Sequence, residues 1–157
     1  MKEFSITIQD YNYYNDYSEL SDYLYSLKGI EEVDIKISDL VTVNTKYNEN
    51  LINDEIIRYE ILALLKLLNY PSISTFDRHQ NNTLSFEVNY RVCCEFCYGN
   101  IIYNLIDNKA IVKVESDFYE QYWKKLGESY YIKIYYDPKL INEKELKKLK
   151  EEIDVYG

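Results

Sequence analysis

All three cysteines of the 157-residue chain fall within five positions, Cys93, Cys94 and Cys97, inside the stretch VNYRVCCEFCYGNIIYNLID at 88–107. Thiols this close together suit ligation of a soft metal ion, thiol–disulfide exchange, or no chemistry at all, as small apolar residues of a core. The stretch reads as a strand running into a helix. Such a junction aims free N–H groups and the positive end of the helix dipole at nearby thiols, which favours the metal-binding thiolate. Two thiolates on one turn suit Cu(I) in near-linear coordination, whereas tetrahedral Zn(II) calls for more ligands. Cys93 changes that balance: as a third sulfur it would favour Zn(II), Cd(II) or Pb(II), while strand alternation would instead turn it away from Cys94 into the core.

Other candidate residues carry less chemistry. The single histidine, His79, lies in the polar segment DRHQNNT at 77–83 and reads as an exposed residue. Glu95, between the cysteines of the C-x-x-C, reads as solvated. Four glycines scattered along the chain supply no phosphate-binding loop, and no Ser/His/Asp set can be assembled around one linker histidine. The chain therefore reads as a binding protein and not an enzyme.

Composition narrows the partners. A net charge of −9 repels phosphate backbones and anionic lipid, which argues against nucleic-acid and membrane-surface binding. No run of about 18 apolar residues and no basic, apolar leader at MKEFSITIQD is found, so the expectation is a cytoplasmic protein without membrane insertion. An odd number of clustered cysteines argues for reduced thiols over a disulfide framework. Nineteen tyrosines read as compositional bias.

An internal echo sets the organisation. KYNENLINDEI at 46–56 resembles YYDPKLINEKEL at 135–146, and the Leu-Ile-Asn triplets begin at 51 and 140, 89 residues apart. Upstream, FSITI at 4–8 pairs with LSFEV at 84–88, an offset of 80, and the difference lodges in the polar insertion 116–129 of the second half. In the first half Phe4 to Ile8 alternates as a strand. Leu20, Tyr23, Leu24 and Leu27 form a helical stripe ended by Gly29. Val33 and Ile35 begin a second strand, DLVTVNTKY a third, and Asn53 caps a helix from Asp54 that Pro71 stops before SISTF. In the second half Leu84 to Val92 is a strand and Ile101, Ile102, Leu105 and Ile106 mark a helix. Strands follow at 110–115 and 130–136, then a helix capped by Asn142 with Glu145 at the capping-box position. The segment 77–83 reads as the linker.

A βαββαβ order with C-x-x-C where the first strand meets the first helix resembles the heavy-metal-associated domain family. Cys94 and Cys97 match its C-x-x-C, Ile101 and Leu105 its helix core positions, and YYDPKLINEKEL its Y-D-P ending. In the first half, LKGIEEVDI resembles the family's G-V-x-x-V-x-V and LLNYP its helix-ending Gly-Tyr. The resemblance implies an α+β fold of two tandem ferredoxin-like units, 1–76 and 84–157, each an antiparallel sheet with helices on one face. The first unit departs from the family by carrying DYNYYNDY where the thiols would be. The second ends at Gly157 and is expected to lack its last strand, leaving an open sheet edge that a homodimer would cover. Zinc-type members often place an aspartate ligand where this chain has Cys93, and an aromatic near the site directs attention to Tyr136 and Tyr156. The function implied by the resemblance is that of a soluble metallochaperone, buffer or sensor holding one ion of Cu(I) or Zn(II)/Cd(II) per chain, handed to a metal-transporting ATPase or another recipient. Two alternatives stand beside it: a ferredoxin-like partner-binding module without metal, and a thiol–disulfide oxidoreductase, against which the chain lacks a thioredoxin-like aromatic-Cys-Gly-Pro-Cys sequence.

Overall fold

The computed structural model describes residues 2–9, 17–38, 40–67, 72–90, 95–117 and 130–155. They form an α+β architecture of seven strands and four helices: β1 (Lys2–Gln9), α1 (Ser18–Ser26), β2 (Ile30–Ile37), β3 (Val41–Tyr47), α2 (Asp54–Leu67), β4 (Ser72–Asp77), β5 (Leu84–Tyr90), α3 (Glu95–Asp107), β6 (Ile111–Ser116), β7 (Tyr130–Tyr136) and α4 (Glu143–Val155). The chain divides into two compact units, Met1–Ile73 and Ser74–Gly157, and β4 begins in one and ends in the other. No helix among the described residues is long and apolar enough to cross a membrane.

In the first unit the strand order is β2-β3-β1-β4. Alternation decides which side of each strand is dry. Phe4, Ile6 and Ile8 of β1 are fully buried, as is Val43 of the antiparallel β3, and Ile6 stands opposite Val43. Leu20 and Leu24 of α1 and Ile57, Ile61 and Leu65 of α2 complete this core at the helical spacings read from the sequence. Gly29, between α1 and β2, has φ +104°, and a Cβ there would stand 2.8 Å from Ile52 Cγ2 and 2.9 Å from Leu51 Cβ, so only glycine fits this turn.

The second unit has the order β4-β6-β7-β5. β5 pairs β7 antiparallel from Leu84↔Tyr136 to Tyr90↔Tyr130, and β7 pairs β6 with Ile134 opposite Val114. Tyr98, Ile101, Ile102, Leu105 and Ile106 of α3 are all buried with Ile132 and Ile134.

The echo between the halves extends to individual hydrogen bonds. The Asn48 N–H donates to Gly29 O at 2.8 Å, and 89 residues on the Asp137 N–H donates to Ala110 O at 2.8 Å. The side chains repeat as well: Asn48 Oδ1 accepts from the Asn50 N–H and Asp137 Oδ1 from the Lys139 N–H, each at 2.9 Å. Asn53 Oδ1 caps α2 through the Ile56 N–H at 2.9 Å, and Asn142 Oδ1 caps α4 through the Glu145 N–H at 2.8 Å. Each Leu-Ile-Asn triplet therefore supplies an exposed leucine (51% at Leu51, 57% at Leu140), a buried isoleucine (Ile52, Ile141) and a capping asparagine.

One sequence expectation is corrected. The segment 77–83 is not simply a polar linker: Asp77 ends β4, and Arg78 is 6% exposed. The guanidinium donates to the carbonyls of Ile106 at 2.8 Å and Asn108 at 3.3 Å and to that of Ile111, and lies over the Phe76 ring with Cζ 5.4 Å from its centroid. Its backbone N–H donates to Val112 O at 2.8 Å, prolonging the β4–β6 pairing beyond Phe76↔Val114. A cation at the end of α3 meets the Ile106 carbonyl, which the helix leaves without an intrahelical donor, and the negative end of its dipole, while the Asn108 and Ile111 carbonyls come from the turn and from β6. An exposed-looking polar run hides this role because burial follows from long-range contacts with residues 106–112. Next door, Gln80 Nε2 donates to Asp137 Oδ2 at 2.6 Å, so a second member of the same run is engaged. Arg78→Met keeps the apolar stem but leaves these carbonyls without the guanidinium, and it is expected to cost about 3 kcal/mol or more, measured by urea unfolding.

Candidate metal centre

The cysteine cluster falls at the junction of β5 and α3. β5 is held to β7 along its whole length, ending with Tyr90 opposite Tyr130. Its alternation puts Phe86 and Val88 on the helix-covered side, and the Phe86 ring lies 5.9 Å from that of Tyr136. α3 begins at Glu95, so Cys97 lies on its first turn. Cys93 and Cys94 lie outside the described residues, as do the side chain of Cys97, the side chain of Glu95 and the whole of Tyr156.

The body of α3 is firmly placed. Tyr98, immediately after Cys97, is 0% exposed and its hydroxyl donates to Ser74 O at 2.7 Å. A buried phenol needs such an acceptor, because an unsatisfied hydroxyl costs about 1–3 kcal/mol. Ile101, Ile102, Leu105 and Ile106 continue from Tyr98 at i+3, i+4, i+7 and i+8, and Arg78 closes the far end. The helix that carries Cys97 is thus pinned at its first and last turns. Tyr98 was readable from spacing as the first member of this apolar stripe, while Arg78 was not. Burial also raises the pKa of the half-buried Tyr103 hydroxyl on the same helix.

The other sequence candidates have local work. His79 adopts φ +53° just after β4, its N–H donates to Asp77 Oδ1 at 2.7 Å, and its Nδ1 lies 3.6 Å from Asp77 Oδ2. Tyr136 packs at the edge of the core against Phe86. Among the described residues no group of three or more His, Cys, Asp or Glu side chains could hold a metal ion.

A charged cluster occupies the opposite face of β4, β6 and β7. Lys113 Nζ lies 3.0 Å from Glu115 and 3.7 Å from Asp77, and Lys113 and Lys133 stand 5.5 and 5.2 Å from the Tyr135 ring centroid. The Tyr135 hydroxyl donates to Glu115 Oε1 at 3.3 Å. The Glu115 partner raises the pKa of Lys113, and contact with Tyr135 raises that of Lys133. These pairs neutralise one another across neighbouring strands and account for a solvated sheet face.

No protein-family model matches the chain, and no curated protein matches it. Tyr98→Phe removes one buried hydrogen bond while keeping the ring, and it is expected to cost about 1–2 kcal/mol in urea unfolding with the helix content by circular dichroism unchanged.

Proposed function

We propose that this protein binds one soft metal ion per chain, Cu(I) or Zn(II)/Cd(II), in the manner of heavy-metal-associated domains, as a chaperone, buffer or sensor in the cytoplasm. Cys94 and Cys97 are the ligands and Cys93 is the candidate third sulfur. The observation that carries this reading is the C-x-x-C at a strand–helix junction, with Cys97 on the first turn of a helix fixed by Tyr98 and Arg78. A thiolate there gains from the helix dipole and from free backbone N–H groups. The donor set fits a soft cation, since sulfur ligands select Cu(I), Zn(II) and their heavier relatives over hard ions. The protein has no catalytic role in this reading; the ion is cargo, passed to a metal-transporting ATPase or another recipient.

Support for two tandem ferredoxin-like units comes from the topology. The first unit follows the order second-third-first-fourth, and the second repeats second-third-first with β6, β7 and β5. The duplicated turn bonds at Asn48 and Asp137 argue that the halves share one plan. In that plan the first unit, 1–76, carries no thiols and the second, 84–157, carries the ion. Residues 1–71 hold 6 Lys and Arg against 13 Asp and Glu, and residues 72–157 hold 12 against 14, so the acidity is concentrated in the unit without ligands. A charge excess of this kind steers encounter with a basic partner more than it adds affinity.

Titration of the reduced protein with Cu(I) or Zn(II), followed by thiolate-to-metal charge-transfer absorption for Cu(I) and by competition for Zn(II), tests the proposal. The Cys94→Ser/Cys97→Ser double variant is expected to lose stoichiometric binding while keeping its circular dichroism spectrum. Tight binding of one ion by that variant overturns the ligand set. If Cys93 is a ligand, Cys93→Ser lowers Zn(II) and Cd(II) affinity by far more than Cu(I) affinity; equal losses assign it to the core. A wild-type protein that binds no metal and is reactive in insulin reduction would favour thiol exchange, and one inert in both assays a partner-binding module.

Metal affinity is also expected to fall with pH, because protons compete for the thiolates. Binding should release protons wherever the free thiols are protonated, counted by calorimetry in buffers of different ionisation enthalpy. Binding without release at such a pH would exclude thiolate ligation.

A further inference from the structure

Among the described residues the second unit leaves one strand position vacant, and the duplicated plan shows what should fill it. In the first unit β1 lies between β3 and β4, whereas its counterpart β5 has, among the described strands, only β7 beside it. The consequence appears in burial. Phe4, Ile6 and Ile8 are each 0% exposed, but at the equivalent positions Leu84 is 54% exposed, Phe86 is half-buried and Val88 is 9% exposed. The covering helices differ in the same sense: Ile57 and Ile61 of α2 are 0% exposed, while 89 residues on Leu146 is half-exposed and Ile61 is replaced by Lys150. Lys150 Nζ lies 4.7 Å from the centroid of the Phe86 ring, so a cation stands over β5 where an isoleucine seals the first unit. Lys147, one turn earlier, is exposed; the helix as a whole carries four lysines against Glu143, Glu145, Glu151, Glu152 and Asp154, so the positive charge beside β5 is local to Lys147 and Lys150.

The two terminal strands are protected unequally. β2, at the edge of the first unit, carries Glu31, Glu32, Asp34 and Lys36 in eight residues, the charged dress of an edge that resists pairing. β5 carries only Glu87 in seven. Among the described residues its outer backbone edge has no strand partner, and beside it stand Leu84, Phe86 and, over the Phe86 ring, Lys150 of α4.

We propose that the edge of β5 that no described strand covers is a docking site for an extended segment of a partner protein, laid antiparallel to β5, whose α4-facing positions carry both an apolar side chain, set beside Leu84 and Phe86, and a carboxylate, paired with Lys150 or Lys147. Backbone hydrogen bonds to β5 supply affinity and the two lysines supply selection for an acidic strand. A second copy of this chain fits less well, because a two-fold axis through a β5–β5 seam would bring Lys147 and Lys150 of both copies together. The site is independent of the metal ligands and is tested in reduced protein both with and without metal.

The experiment uses the full chain and two labelled synthetic strands in fluorescence anisotropy, each with Thr on one face, and with Ile and Glu on the other face of the first strand and Ile and Lys on that face of the second. The Glu strand is expected to bind at least about tenfold more tightly than the Lys strand, and Lys147→Glu/Lys150→Glu is expected to reverse the preference. Amide exchange should slow in Leu84–Tyr90 when the Glu strand is added. Equal affinity for the two strands, binding that leaves β5 exchange unchanged, or no binding overturns the proposal. Concentration-dependent protection of β5 without any peptide, with a dimer in sedimentation, would assign the edge to a second copy and overturn it as well. Both lysines are exposed, so the reversal is expected to leave the circular dichroism spectrum unchanged; should it unfold the chain, the exchange measurement on the unaltered protein still decides.

Discussion

A single buried arginine organises the second unit. Arg78 brings a permanent charge to 6% exposure at the end of β4, and the carbonyls of Ile106, Asn108 and Ile111 turn toward it and help to offset the loss of water. Those acceptors come from the last turn of α3, the turn after it and the first residue of β6. The guanidinium therefore sets how far α3 extends, where the chain reverses and how β6 starts beside β4. Tyr98 makes the complementary constraint at the other end through Ser74 O. Between the two, α3 has little freedom to slide or rotate, and Cys97 on its first turn inherits that position.

Both units solve the turn after the third strand in the same way, with a side-chain oxygen at Asn48 or Asp137 holding an N–H two residues later and a backbone N–H reaching back to the residue before the second strand. The departures are as informative. Gly29 has a positive φ and is wedged against Leu51 and Ile52, a close approach that admits no side chain. Its counterpart Ala110 is buried without that backbone conformation. Asp137 also accepts from the side-chain amide of Gln80, which ties the start of the second unit to its own third turn.

The edge of β5 shows how the same plan yields different surfaces. Among the described strands β5 has a neighbour on one side only, and Leu84, Leu146 and Lys150 are more exposed than Phe4, Ile57 and Ile61 at the matching places of the first unit. A lysine at the position of Ile61 is what a helix with less strand beneath it can accept, since the residue stays exposed while its ammonium stands over the face of the Phe86 ring.

By itself the sequence determined the elements that rest on short-range periodicity and capping. The alternation at Phe4–Ile8, the stripes at Leu20–Leu24 and Ile101–Ile106, and the caps at Asn53 and Asn142 all stand as read, because each depends on residues within two turns of one another. The 89-residue echo was equally legible, since two turns built alike carry like side chains. The start of α3 was legible too, with Cys97 falling on its first turn as its place before Ile101 required. Tertiary structure alone decided the fate of residues whose partners are distant in sequence. Arg78 and Gln80 look like solvated linker residues until β6 and the Asp137 turn are folded against them, and Leu146 looks like core until β5 proves to have β7 as its one neighbour among the described strands. Burial of a polar group or exposure of an apolar one is a property of the neighbours that the fold brings, and no local pattern encodes it.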